Sequence, residues 1–318
     1  MRNYLKVVSI VFVLLIFVGC ASQSHSNKSN ESSINELGVQ LSTSKSIDGK
    51  KTVPSTSKSV ATSTSTVTSV STSEQTTPIK KDTKTDTKTD LNKEEKPLEG
   101  LTICIDAGHG KTTKSANRKE PIAPGSKIMK AATASGTSGV YTKISEESLN
   151  LTVSKKLQKA LSDKGAKIIM IRETSKCDLT NVERTELWNS SGADLTIRIH
   201  GNGASSSKAS GVLMMIPGDK YIKDKEMLEK STQAGQYILD GVLKHTKAKS
   251  QGMVKSTDLT GFNWSKIPVI LLEMGFMTNP QEDKLLNTDD YQNKIVLGIV
   301  EGVMKYQDNL IKDKIKQK

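Results

Sequence analysis

From Leu101 onward, short apolar runs of strand length alternate with stretches whose apolar residues recur at helical spacing, and this alternation limits the possible folds more than any other feature of the chain. Residues 101–105, 166–171, 195–199, 211–216 and 268–272 read as strands. Leu149, Val153, Leu157 and Leu161 fall on one helical face that starts at Glu146, and Gly165 closes that helix. Further helices are expected over residues 179–190, 225–244 and 289–307, whereas 111–144, rich in Gly, Ser, Lys and Pro, reads as a long loop. Strands that alternate with helices predict an α/β class: a single domain over 98–318, with a twisted, mainly parallel or mixed sheet flanked by helices. That length suffices for one good core.

The preceding segment cannot supply a core. Residues 20–97 are dominated by Ser, Thr, Lys and Asn, with a repeat of Lys-Asp-Thr type after Lys81 and no aromatic side chain. Such a stretch buries too little apolar surface to offset its ordering entropy, so a disordered tether is expected. As a flexible coil of roughly 75 residues it reaches about 45–50 Å. Residues 1–19 read as an export signal: Arg2 and Lys6, then the apolar run 7–18, which is too short for a comfortable span. Gly19-Cys20 follows at once, which resembles a bacterial lipoprotein signal with Cys20 as the lipidated residue. The expected location is therefore outside the cytoplasm, on the outer face of the cell membrane through a lipid anchor, or secreted.

The formal net charge is +12, which suits an anionic partner such as a cell wall, a lipid surface or nucleic acid. Much of the lysine excess lies in the tail and tether, and aromatics make up only 4% of the chain, so a nucleic-acid stacking platform is not expected. Cys20, Cys104 and Cys177 show no zinc-finger spacing, and Cys104 and Cys177 pair only if the fold brings them within reach.

Polar residues gather at the strand ends. His109 lies just past the first strand, His200 directly follows residues 195–199, and Glu273 directly follows 268–272. In open α/β sheets, ligands bind beyond the carboxyl ends of the strands. Glu146 opens a helix and can point to the same edge. Two imidazoles and one carboxylate form a natural catalytic zinc set, and a nearby second carboxylate can take a proton from water. Each residue also has a structural alternative. His109 could satisfy a turn, His200 the core, Glu146 the helix dipole, and Glu273 loop amides; Glu147 competes with Glu146. Asp106 is a candidate support for the first ligand. Arg184 is a candidate for pairing with a substrate carboxylate or for a structural ion pair, and Asn202 for contacting substrate or shaping a loop.

With these residues in view, the chain resembles the zinc-dependent N-acetylmuramoyl-L-alanine amidases from about Leu101 to Tyr306. Ile105-Asp-Ala-Gly-His-Gly110 looks like the family's first-ligand motif, Glu146-Glu-Ser-Leu-Asn-Leu151 its second, and Ile199-His-Gly-Asn202 its third. Leu272-Glu-Met-Gly-Phe-Met-Thr-Asn279 looks like the catalytic-glutamate motif. Glu120-Pro-Ile-Ala-Pro-Gly125, Ser135-Gly-Thr-Ser-Gly139 and Thr257-Asp-Leu-Thr-Gly-Phe-Asn-Trp264 are similar to a branch with a long loop between the first two ligands. Ala107, Lys111, Gly201 and Gly203 depart from common family residues, and none of these departures removes a ligand. The resemblance favours Glu146 over Glu147. It implies zinc held by His109, Glu146 and His200, Glu273 as the base, and cleavage of the amide between the lactyl group of muramic acid and L-alanine. Peptidoglycan is the implied substrate, for a chain expected to be monomeric. A zinc peptidase cutting within the stem peptide and a non-catalytic wall-binding lipoprotein are the alternatives.

Overall fold

The computed structural model describes residues 96–112 and 114–316. The expected export signal, the lipidation site Cys20 and nearly all of the tether lie outside the described residues. Among those described, no helix is long and apolar enough to cross a membrane.

One six-stranded sheet organises the domain, in the order β4-β1-β5-β8-β6-β7. Its strands are β1 (Thr102–Ala107), β4 (Lys167–Met170), β5 (Leu195–Asn202), β6 (Val212–Pro217), β7 (Ser250–Ser256) and β8 (Val269–Phe276). The strands β4, β1, β5 and β8 run parallel, whereas β6 is antiparallel to β8 and parallel to β7. The mixed α/β sheet expected from the alternation is the one observed. The central strands are buried along nearly their whole length because helices cover both faces. All eight residues of β5 are buried.

On one face lie α1 (Glu146–Asp163), α3 (Lys225–Thr246) and α6 (Asp289–Lys316). Leu149, Val153, Leu157 and Leu161 of α1 are all buried in this core, each contributing about 1.5–3 kcal/mol relative to exposure. The close crossing of α3 and α6 depends on glycine. A Cβ on Gly298 would lie 2.5 Å from the backbone of Val242, and one on Gly241 would lie 2.2 Å from the Gly298 carbonyl oxygen. The other face carries α2 (Asn181–Ser190) and the short α4 (Thr260–Asn263), over Trp188, Phe262, Val269 and Leu271. Thr180 and Glu183 form a reciprocal capping box that fixes where α2 begins.

Beyond the short α4, several elements differ from the expectation. The long loop 111–144 contains a small hairpin of β2 (Lys119–Pro121) and β3 (Met129–Ala131). The strand β7 reads Ser-Gln-Gly-Met-Val-Lys-Ser, too polar for an apolar-run criterion, because it is an edge strand. The helix α5 (Pro280–Leu286) follows Asn279, whose side chain caps it, with Pro280 in its first turn.

Candidate metal centre at the carboxyl edge of the sheet

The ends of β1, β5 and β8 converge at one edge. Beyond β1 the chain turns sharply, and His109 sits there with a left-handed φ of 61°. A non-glycine residue rarely holds this conformation, which costs about 1–3 kcal/mol and collects at functional sites. The ring is fixed by a hydrogen bond of 2.8 Å between Nδ1 and the Ala134 carbonyl oxygen. That contact assigns the proton to Nδ1, leaving Nε2 as the free lone pair, 3.0 Å from Glu146 Oε1.

His200 lies in β5. Its Nδ1 is 3.1 Å from the same Glu146 oxygen, and its buried Nε2 has no partner among the described residues. The two imidazoles meet edge to face, with centroids 4.9 Å apart. Gly108 is what lets the first loop lie against His200: a Cβ there would stand 2.3 Å from the ring's Cε1.

Glu146, not Glu147, faces the site. Its Oε2 accepts from the Thr137 amide at 2.9 Å. Its Oε1 accepts from Asn150 Nδ2 and the Gly201 amide, both at 3.2 Å. A Cβ on Gly136 would come 2.9 Å from this carboxylate, so the loop before α1 needs glycine to close over it. One ligand atom from each of His109, Glu146 and His200 lies within 4.8 Å of the others.

Glu273 stands opposite His200 in the β5–β8 ladder, and its Oε2 is buried with no partner among the described residues. Burial, helped by the negative charge of Glu146, pushes the Glu273 carboxyl up to about 8. Burial also acts to raise Glu146, but hydrogen bonds and charge from His109 and His200 outweigh it and hold that carboxyl below the ordinary range. His200 is pushed down to about 4 by burial, so its imidazole is neutral at neutral pH, as a ligand must be. Two converging imidazoles, a carboxylate shared between them and a second carboxyl group with an unpartnered buried oxygen fit a divalent cation.

The remaining candidates occupy the wall behind this centre. Asp106 is fully buried and accepts from Arg184 Nη1 at 2.6 Å and Arg198 Nε at 2.9 Å. Arg184 also donates through Nη2 to the His109 carbonyl oxygen at 2.5 Å. Of the two roles open to Arg184, the structure shows the ion pair with Asp106, and Arg184 also ties down the loop that carries His109. Asn202 is buried, and its Oδ1 accepts from the Gly203 amide at 2.8 Å, so it shapes the turn after β5. Cys104 and Cys177 are both buried and free.

Sequence reasoning missed two supports. Arg172 Nη2 donates to the carbonyl oxygens of Gly108 at 2.9 Å and Glu147 at 2.7 Å, tying the His109 loop to the first turn of α1. Asp283 accepts from the amides of Tyr141 and Thr142 at 2.7 and 2.8 Å, anchoring the loop that delivers Glu146. The available signal was position: Arg172 follows a predicted strand that ends beside the site.

Known proteins are similar to this chain. Residues 103–305 match the family model described as N-acetylmuramoyl-L-alanine amidase. A probable cell wall amidase, LytH, of Staphylococcus epidermidis is 26% identical over 66% of this chain and 60% of its own length. A germination-specific N-acetylmuramoyl-L-alanine amidase of Bacillus subtilis is 28% identical over 66% of this chain and 81% of its own length. Among solved structures, the N-acetylmuramyl-L-alanine amidase Ami1 from Mycobacterium smegmatis shares the fold with a TM-score of 0.61, at 21% identity, over 67% of this chain and 99% of that one. With the family model spanning the sheet and every strand end at the candidate centre, this chain belongs to the N-acetylmuramoyl-L-alanine amidase family.

Proposed function

We propose that the chain is an extracytoplasmic zinc amidase that cuts peptidoglycan between the lactyl group of muramic acid and L-alanine. His109 through Nε2, His200 through Nδ1 and Glu146 through Oε1 hold the ion. The observation that carries this reading is the convergence of those three atoms, with the unpartnered Glu273 carboxylate on the adjacent strand. When bound, zinc supplies Lewis acidity toward the amide carbonyl and the attacking water. The positive charge of a bound cation would offset the burial and the Glu146 charge that raise Glu273, so that its ionised carboxylate would take a proton from that water and hand it to the departing L-alanine amine, which leaves as a neutral group. Its place on a strand, rather than on a loop, fixes the distance over which the proton moves. Thr137, Asn150 and Gly201 hold the Glu146 carboxylate by hydrogen bonds and so preorganise the donor set before the ion arrives. Cys20 as a lipid attachment point and residues 20–97 as a tether would set the reaction on the wall side of the membrane.

The test uses the full-length chain and purified peptidoglycan, with products read by mass spectrometry. Free stem peptides that begin with L-alanine, lost on chelation and restored by zinc, are the expected result. Fragments cut within the stem peptide would support a zinc peptidase instead, and zinc binding with no release would support a wall-binding role.

A further inference from the structure

Three guanidinium groups are buried behind the candidate metal centre, and they are not equally satisfied. Arg172 spends its donors on the carbonyl oxygens of Ala107, Gly108, Glu147 and Thr174. Arg184 spends its donors on Asp106, the His109 carbonyl oxygen and Cys177 Sγ. Arg198 donates only through Nε, to Asp106 at 2.9 Å. Among the described residues, its Nη1 and Nη2 have no acceptor. Asp106 is the one carboxylate bonded to Arg184 and Arg198, so this pair of arginines retains a surplus positive charge. A buried charge without a counterpart is unfavourable, and planar guanidinium donors match the oxygens of a carboxylate.

The local packing holds Arg198 ready rather than letting it relax. Its side chain is 7% exposed. Its Cζ lies 5.8 Å from the centroid of the Trp188 ring. Gly261, in the Thr257–Trp264 segment that the sequence singled out, sits close by, where a Cβ would approach Nη1 to 3.1 Å. Arg198 and Arg184 line a cavity of about 40 Å³ together with His109, His200, Thr133 and Asn181. A single water needs about 10–15 Å³ on the same measure, so the space takes a group the size of a carboxylate.

We propose that Arg198 contacts substrate, presenting Nη1 and Nη2 to a carboxyl oxygen of peptidoglycan in the cavity beside His109 and His200. The proposal rests on the amidase reading and adds a recognition element to the same site. Two groups offer such an oxygen: the lactyl acyl oxygen, an amide carbonyl in the substrate and a carboxylate once cut, and a free carboxylate on the stem peptide.

Calorimetry on the zinc-loaded full-length chain tests it, with N-acetylmuramic acid and free stem peptides as the probes. The peptides carry either a free carboxylate or its amide at the second residue. Wild type, Arg198→Met and Arg198→Lys are compared, and turnover on the matching muropeptides is measured in parallel. Arg198→Lys keeps a charge next to Asp106 and guards against a simple folding failure, which thermal melting reports. At least tenfold weaker binding of one probe by Arg198→Met, with unchanged zinc content, is expected. Loss of N-acetylmuramic acid binding assigns the lactyl carboxyl. Loss of the preference for acid over amide peptides assigns the stem carboxylate. Binding and kcat/KM within twofold of wild type in both variants would overturn the proposal and leave Arg198 as a counter-charge for Asp106. A wild type that binds a probe through Arg198 yet releases no product would support the subsite and sink the amidase reading alone.

Discussion

His200 and Glu273 are direct partners in the parallel ladder between β5 and β8, so the proposed metal ligand and the proposed base are set at neighbouring positions by backbone hydrogen bonds. Adjacent strands lie about 4.8 Å apart, a spacing that side-chain packing can hardly change. The site's reach is therefore a property of the sheet, and the loops supply the rest: His109 from a strained turn, and Glu146 from the first turn of α1.

Gly108→Ala should damage the centre without touching a ligand. The new methyl would stand 2.3 Å from His200 Cε1 and force the ring away from Glu146. Zinc affinity, measured by competition with a chromophoric chelator, should fall about 10–100-fold, as when an outer support of a ligand is lost. Unaltered affinity would mean that the ring tolerates the shift.

Glu146→Gln and Glu147→Gln should separate cleanly. Glu146 accepts from Thr137, Asn150 and Gly201 and meets both imidazoles. Glu147 contributes only its backbone carbonyl to Arg172 among the contacts at the site. Zinc content by mass spectrometry should collapse in the first variant and stay stoichiometric in the second. The opposite pattern would transfer the ligand role to Glu147.

How much of this was legible beforehand depends on the residue. His109, His200 and Glu273 could be placed because apolar runs of strand length end at them, and the carboxyl edge of a sheet follows from that pattern alone. The choice between Glu146 and Glu147 could not be made from periodicity, since adjacent residues in a first helical turn differ only in direction; the amides of Thr137, in the preceding loop, and of Gly201, 55 residues on, settle the direction. The β2–β3 hairpin has three-residue strands containing Pro121 and lysines, too short for any period to show. By contrast, α5 announced itself in Asn279-Pro280, a cap followed by a first-turn proline, and went unread. Arg198 was equally visible, as a charge inside the otherwise apolar strand Leu-Thr-Ile-Arg-Ile. Only the tertiary structure shows that Asp106 takes up one of its donors and that the residue lines a cavity beside His109 and His200.

Asp106→Asn should cost stability in a pH-dependent way. Burial acts to raise the Asp106 carboxyl, but Arg184 and Arg198 outweigh it and hold the group well below the usual carboxylate range. A depressed folded value means stability that is fully present above the unfolded value, about 3.9, and is lost as pH falls through that value toward the folded one. Removing one partner from a buried ion pair costs about 3–5 kcal/mol. Denaturant titration at pH 7 should show a loss of that order, and the gap between wild type and variant should narrow below about pH 4. A gap that is small at pH 7, or that widens in acid, would contradict the assignment.

The most direct test of the central claim is Glu273→Gln in the full-length chain, assayed for zinc content and peptidoglycan hydrolysis in the same preparation. The amide keeps the shape of the side chain and removes the base. Zinc should remain stoichiometric, while release of stem peptides beginning with L-alanine falls by about 10²–10⁴-fold, the usual contribution of a positioned general base. Wild-type release from a zinc-loaded Glu273→Gln chain would contradict the account.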